Sequence, residues 1–192
     1  MSLSTLEYSY QAFDLDVNQT IAFRPVVLED LPLIHNWMNQ PHVIPFWNLA
    51  FDMERMRQHL QRAIADPHQT LYVGLLNDVP MSYWESYWAD DDIVAQYYPA
   101  HPADQGIHLL IGPPEFLGKG YALPLLRAMT YFQFQYPETL KIVTEPDSRN
   151  QKMIHVFKRC GFELKKEIDL PEKRAALMFC DRQIFMGDED NV

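Results

Sequence analysis

Glycine is scarce in this chain, with 7 in 192 residues, so each glycine is expected where backbone geometry needs it. Cysteine is nearly absent. Cys160 and Cys180 make no disulfide framework and suit a reducing compartment. No apolar run reaches the roughly 18 residues of a membrane span, and no basic-then-apolar leader opens the chain, so a cytoplasmic protein without membrane contact is expected. Positive charge is also short: 16 Lys and Arg against 26 Asp and Glu give a net charge of −10. Such a surface repels phosphate backbones and anionic lipid, which disfavours general nucleic-acid binding. One bound anion stays compatible with it, because helix N-termini and backbone amides hold phosphate locally. Repeats, low-complexity tracts and Gly/Ser linkers are missing too, and no metal site is expected. The length then implies a single domain over residues 1–192, with a core at about 20–186 and flexible termini.

What the chain does have is apolar and aromatic bulk: 47% hydrophobic residues, with 4 Trp, 10 Tyr and 11 Phe. Leu6, Tyr8 and Tyr10 alternate as an edge strand would, and Thr20–Arg24 reads as a strand ended by Pro25. Helical spacing marks Glu29–Asn39 and Asp52–Ala65. Between them, Pro41 and Pro45 break a stretch rich in aromatic and imidazole groups, which suits a binding loop. Thr70–Leu76 and Pro80–Trp88 form a hairpin about Asn77-Asp78. Ile107–Ile111 has the continuous apolar character of a central strand. A helix is predicted from Tyr121 to about Tyr136, a strand at Leu140–Thr144, and a helix at Ser148–Arg159 capped by Ser148 with Gln151. The last strand is predicted at about Ala175–Phe185. Strands at both ends with helices interleaved in the middle give a mixed α/β sheet.

Two segments carry chemistry. Glu115-x-x-Gly118-x-Gly120 joins a buried strand to a helix, where glycines turn amides toward one point and the helix dipole adds positive potential. By itself this is equally a pyrophosphate cradle or a plain structural loop. It lacks the third glycine of the dinucleotide fingerprint and the Gly-Lys-Ser/Thr of a P-loop, so neither NAD nor ATP is favoured. Asn150 to Phe162, with Gly161-Phe162 closing the second helix, adds a second signal in the expected order. Together these segments resemble the GCN5-related N-acetyltransferases. The resemblance departs from the family at Glu115, where another first residue is usual, and at Phe157, where many members carry a tyrosine that protonates the leaving thiolate.

Four further blocks narrow the resemblance. Trp37-Met38-x-x-Pro41-His42-Val43-x-x-Phe46-Trp47, Tyr83-Trp84-Glu85-x-Tyr87-Trp88, Gly106–Gly112 and Glu145-Pro146-Asp147-x-Arg149-Asn150 are similar to the siderophore-pathway acyltransferases of the aerobactin and mycobactin types. That resemblance implies the superfamily fold, a mixed and mostly antiparallel sheet splayed at its middle strands and flanked by about four helices. It implies direct transfer from acetyl-CoA or another acyl-CoA, with acetyl or succinyl as the acyl group, to an N-hydroxylated amine. N6-hydroxylysine and a hydroxydiamine are the two acceptors it suggests, and a siderophore synthetase pathway is the setting.

Site residues follow from the same resemblance. His108 is implied as general base and Asp147 as its partner. The backbone of Leu109, Leu110 and Ile111 is implied to meet pantetheine and the thioester carbonyl. Amides from Leu117, Gly118, Lys119, Gly120, Tyr121 and Ala122 would hold the pyrophosphate, with Asn150 and Phe157 completing the cofactor wall. His42, Trp47, Trp84 and Glu85 are candidates for the acceptor pocket. Read without the family, a lone histidine in an apolar strand is a hydrogen-bonded core residue, and Asp147 is a helix cap. Two alternatives remain at this point: the same fold acting on an ordinary amine such as an antibiotic or polyamine, and a non-catalytic acyl-CoA-binding module.

Overall fold

The computed structural model describes residues 7–187. Leu6, part of the expected edge strand, lies outside the described residues, as do the outermost terminal positions expected to be flexible. An eight-stranded sheet runs through the described chain in the order β1-β2-β3-β4-β5-β6-β8-β7. Its strands are β1 (Tyr10–Asp14), β2 (Gln19–Pro25), β3 (Gln69–Leu76), β4 (Val79–Trp88), β5 (Gln105–Ile111), β6 (Lys141–Thr144), β7 (Glu163–Asp169) and β8 (Arg174–Asp181). Every neighbouring pair is antiparallel except β5 and β6. β1, which precedes residue 20, pairs fully with β2.

Helices α1 (Leu31–Met38), α2 (Met53–Ala65), α3 (Ala122–Gln133), α4 (Gln151–Arg159) and the short α5 (Arg182–Gly187) cover the sheet. The period of two along β4 and β5 sorts their side chains between two cores. Trp84, Ile107 and Leu109 pack with Leu126 and Met129 of α3 and with Ile154 and Phe157 of α4. Tyr83 and Leu110 pack on the other side with Trp37 of α1 and Leu60 of α2. Burial of that size dominates the stability of the fold. Asn77 and Asp78 both take positive φ, 45° and 65°, as a two-residue hairpin turn of the primed type demands.

Among the boundaries that differ from the sequence reading, two have a clear cause in the tertiary structure. α4 starts at Gln151 and is capped by Asn150, whose side chain accepts from the Met153 amide at 3.2 Å. Ser148 is still held by the sheet, its amide donating to the Arg174 carbonyl at 2.9 Å beside a bridge from Asp147 to Ala175. The last strand ends at Asp181, because β6 supplies its partner only as far as Lys141. The chain then turns into α5, which seats Phe185 against Phe134 at 5.6 Å between ring centroids. Among the described residues no helix is long and apolar enough to cross a membrane.

Candidate active site

The ladder between β5 and β6 is short. It holds only Gln105 opposite Ile142 and Gly106 opposite Val143. Just beyond, the Ile107 carbonyl accepts from the Thr144 hydroxyl at 2.9 Å instead of from a strand partner. On its other edge β5 stays paired with β4 out to Gly112, whose amide donates to Met81. The antiparallel alternation then turns the backbone groups of Leu109 and Ile111 toward the gap left by β6, while Leu110 pairs inward with Tyr83. A cavity of about 660 Å³ opens at this gap, with walls from both sides of the sheet. Leu109, Asn150 and Phe157 line one part; Trp47, Glu85 and His108 line another, and Asp147 lines it as well.

At the far end of β5, the turn through Gly118 and Gly120 takes φ of 72° and 82°. A methyl group at either position would meet nothing within 4 Å, so the space above this turn is open. α3 starts without a side-chain cap, and among the described residues the amides from Gly118 to Tyr121 meet no protein acceptor. Such a row of free amides at a helix start suits an anion, and a pyrophosphate fits it. Leu117, Lys119, Tyr121 and Ala122 belong to the same exposed or half-exposed turn.

His108 stands across the ladder from Glu85, and its Nδ1 lies 3.0 Å from Glu85 Oε2. Its Nε2 meets Glu145 Oε1, a carboxylate that directly follows β6. Glu145 also accepts from the Tyr87 hydroxyl at 2.7 Å and lies 3.8 Å from Lys173 Nζ, while Glu85 accepts from the Tyr83 hydroxyl at 3.0 Å. Burial opposes the charged ring, but the two carboxylates outweigh it and lift His108 from its usual 6.5 to about 10. Glu145 responds in the opposite sense: burial is overcome by the ring, by Lys173 and by Tyr87, and its pKa falls to about 2. The ring of Tyr87 lies 4.9 Å from the imidazole, and Trp47 closes its other side at 6.3 Å.

Several expectations need correction here. Asp147 is not the partner of the imidazole; its carboxylate is held by Arg149 in a 2.7 Å contact, which depresses its pKa. Glu85 and Glu145 take the place expected for it. Both nitrogens of the imidazole face carboxylates, Glu85 on one side and Glu145 on the other. Trp84 lies on the opposite side of the sheet, fully buried with its indole N–H donating to Ser82 Oγ at 2.8 Å, so it does not reach the cavity. One residue along, the alternation of β4 sends Glu85 to the cavity side. His42 does not line the cavity either: its ring bonds the Ile111 carbonyl at 2.8 Å and so tethers the proline-rich loop to the end of β5. Glu145 was missed as a site residue. The signal for it was an acidic residue directly after the strand-like run Ile142-Val143-Thr144, at the carboxyl end of a strand parallel to β5.

A family model described as "Acetyltransferase (GNAT) domain" matches residues 26–170. The chain belongs to this acetyltransferase family. Among curated relatives, an N(6)-hydroxylysine O-acetyltransferase of Escherichia coli is 32% identical over 93% of this chain, and the match covers 58% of that protein. An N-hydroxyputrescine acetyltransferase of Acinetobacter baumannii is 33% identical over 90% of this chain and 84% of its own length. Among solved structures, an uncharacterized protein from Bacillus halodurans superposes with a TM-score of 0.92 at 51% identity, covering 95% of this chain and 94% of its own. AAC(6')-Ib in complex with Parmomycin and AcetylCoA superposes at 0.81 with 28% identity, covering 88% and 97%.

Proposed function

We propose that this chain is an acyl-CoA-dependent N-acyltransferase of hydroxamate siderophore assembly. It transfers acetyl or succinyl to the nitrogen of an N-hydroxylated amine, either N6-hydroxylysine or a hydroxydiamine, within a pathway completed by a siderophore synthetase. The observation that carries this reading is the parting of β5 and β6 beside His108, with the free amides of the Gly118–Gly120 turn at the end of the same strand. The pyrophosphate of acyl-CoA rests on those amides, and pantetheine pairs with the backbone of Leu109 and Ile111. The amide of one of these residues polarises the thioester carbonyl as oxyanion donor. The aromatic wall formed by Trp47 and the acidic wall formed by Glu85 and Asp147 receive the acceptor. Relatives named for N-hydroxylated substrates, and a structural neighbour holding AcetylCoA, support the same assignment.

The acceptor class follows from proton demand. A lysine-like ammonium, with a pKa of about 10.4, must lose a proton before it attacks. An N-hydroxylated amine is less basic and reaches the cavity neutral. The test is a comparison of kcat/KM for N-hydroxyputrescine or N6-hydroxylysine with that for the parent amine, at fixed acetyl-CoA and again at fixed succinyl-CoA. The hydroxylated acceptors should be preferred by at least about tenfold, a difference of 1.4 kcal/mol in transition-state binding. Equal rates would move the assignment to an ordinary amine acetyltransferase, and coenzyme A binding without thiol release on any acceptor would leave only a binding module.

A further inference from the structure

The network around His108 has one member with no assigned task. Glu145 is among the most buried carboxylates of the molecule, with a side chain 5% exposed, and its polar partners are His108, Tyr87 and Lys173. A carboxylate is this deeply buried only when it is paired. Phe157, which lines the same cavity, has no proton to give. Tyr83 and Tyr87 spend their hydroxyl protons on Glu85 and Glu145, and Thr144 spends its own on the Ile107 carbonyl. The imidazole lies beside Leu109 at the strand gap and lines the cavity, which Lys173 and His59 also line.

We propose that Glu145, braced by the Tyr87 hydroxyl, is a positioning residue that holds His108 doubly protonated, so that the ring enters the reaction as proton donor to the departing thiolate. This rests on the acyltransferase reading above. In the transfer, the bond from acceptor nitrogen to acyl carbon forms and the carbon–sulfur bond breaks. The nitrogen's proton passes to the carboxylate of Glu85, and sulfur takes the proton of His108 Nδ1. Return of the Glu85 proton to Nδ1 across their 3.0 Å contact restores the network, and no external base is consumed. The charged and titratable groups facing the ring are Glu85 and Tyr87 from β4 and Glu145 after β6. Behind them stand Tyr83, Lys173 and, on α2, His59, whose charge is felt at Glu85.

The experiment has two arms on the full chain. The first is an NMR titration of the His108 ring in the substrate-free protein, for wild type, Glu145→Gln and Tyr87→Phe. The wild-type ring should remain protonated through pH 8, and Glu145→Gln should lower its midpoint by about 1–3 pH units, the usual effect of removing one adjacent opposite charge. Tyr87→Phe should move it in the same direction by less, and it serves if the first variant folds poorly. A wild-type midpoint near 6.5, or the same midpoint in Glu145→Gln, would overturn the proposal whatever the enzyme does. The second arm is kcat for an N-hydroxylated diamine with acetyl-CoA between pH 6 and 8.5. A ring acting as donor predicts that the deficit of Glu145→Gln deepens at least about tenfold across that range, as its weakened ring loses its proton. A ring acting as acceptor predicts the reverse, a variant that gains on wild type as pH rises, and that result would also overturn it. Failure of the wild type to acylate any acceptor would sink the functional reading instead, while the titration would still decide the role of Glu145.

Discussion

At the scale of single residues, the site is built from side chains that are each held in place by another. Gly106 shows how closely. A methyl group there would come within 1.9 Å of the Tyr87 ring, so the absence of a side chain on β5 lets that ring lie beside His108 and reach Glu145. His108 itself is the residue whose loss should be most visible. His108→Ala is expected to lower kcat at least about 100-fold, the ordinary scale of lost acid–base catalysis. Steady-state kinetics at saturating acyl-CoA check this, and turnover near wild type would remove the ring from the chemistry. The family resemblance pointed to His108, and a carboxylate between aromatic residues, which needs a partner when buried, drew attention to Glu85. Neither pointed to Glu145 over Asp147. The two are two residues apart, and only the direction in which the chain leaves β6 decides that Glu145 turns in to the ring while Asp147 turns to Arg149.

At the scale of elements, the decisive feature is where pairing stops. β5 and β6 share two residue pairs before they part, and the glycine turn lies at the end of the longer strand. The central strand was legible in its nearly continuous apolar run and the turn in two glycines of a glycine-poor chain, whereas the splay came only through the family resemblance. Cap positions were less legible. Ser148 and Asn150 are both good N-caps, and the choice fell to Asn150 because β8 holds Ser148 in the sheet, a long-range contact that local propensity does not register. The glycine turn supports a prediction that separates geometry from clash. At Gly120 a methyl group meets no neighbour, so Gly120→Ala carries only the strain of a left-handed backbone, about 1–2 kcal/mol of unfolding free energy. On the proposed reading the turn holds the phosphates and not the reacting atoms, so the KM for acyl-CoA should rise with a smaller change in kcat. Denaturant unfolding together with acyl-CoA saturation curves measure both quantities. A stability loss with unchanged KM would make the turn purely structural.

At the scale of the whole molecule, the candidate site is a set of opposed charges inside a chain of net charge −10, and this couples catalysis to stability. The sign of each contribution can be worked out. The carboxyl of Glu145 is depressed from 4.5 to about 2 on folding, so its contribution is present above about 4.5 and is lost as pH falls toward 2. The His108 ring is raised from 6.5 to about 10, so its contribution is complete below 6.5 and is lost as pH rises through 10. Both are complete only between about pH 4.5 and 6.5, and the thermal midpoint should be highest there. Self-repulsion of the acidic surface also grows with pH, but it acts on wild type and variants alike and is screened by salt. The variant His108→Gln therefore isolates the ring: it cannot carry the charge, and its midpoint should fall less steeply between pH 7 and 10 than that of the wild type. Scanning calorimetry of both proteins at constant ionic strength makes the comparison. Parallel curves over that interval would mean that the imidazole gains no proton affinity on folding, and that the two carboxylates beside it do not hold a charged ring.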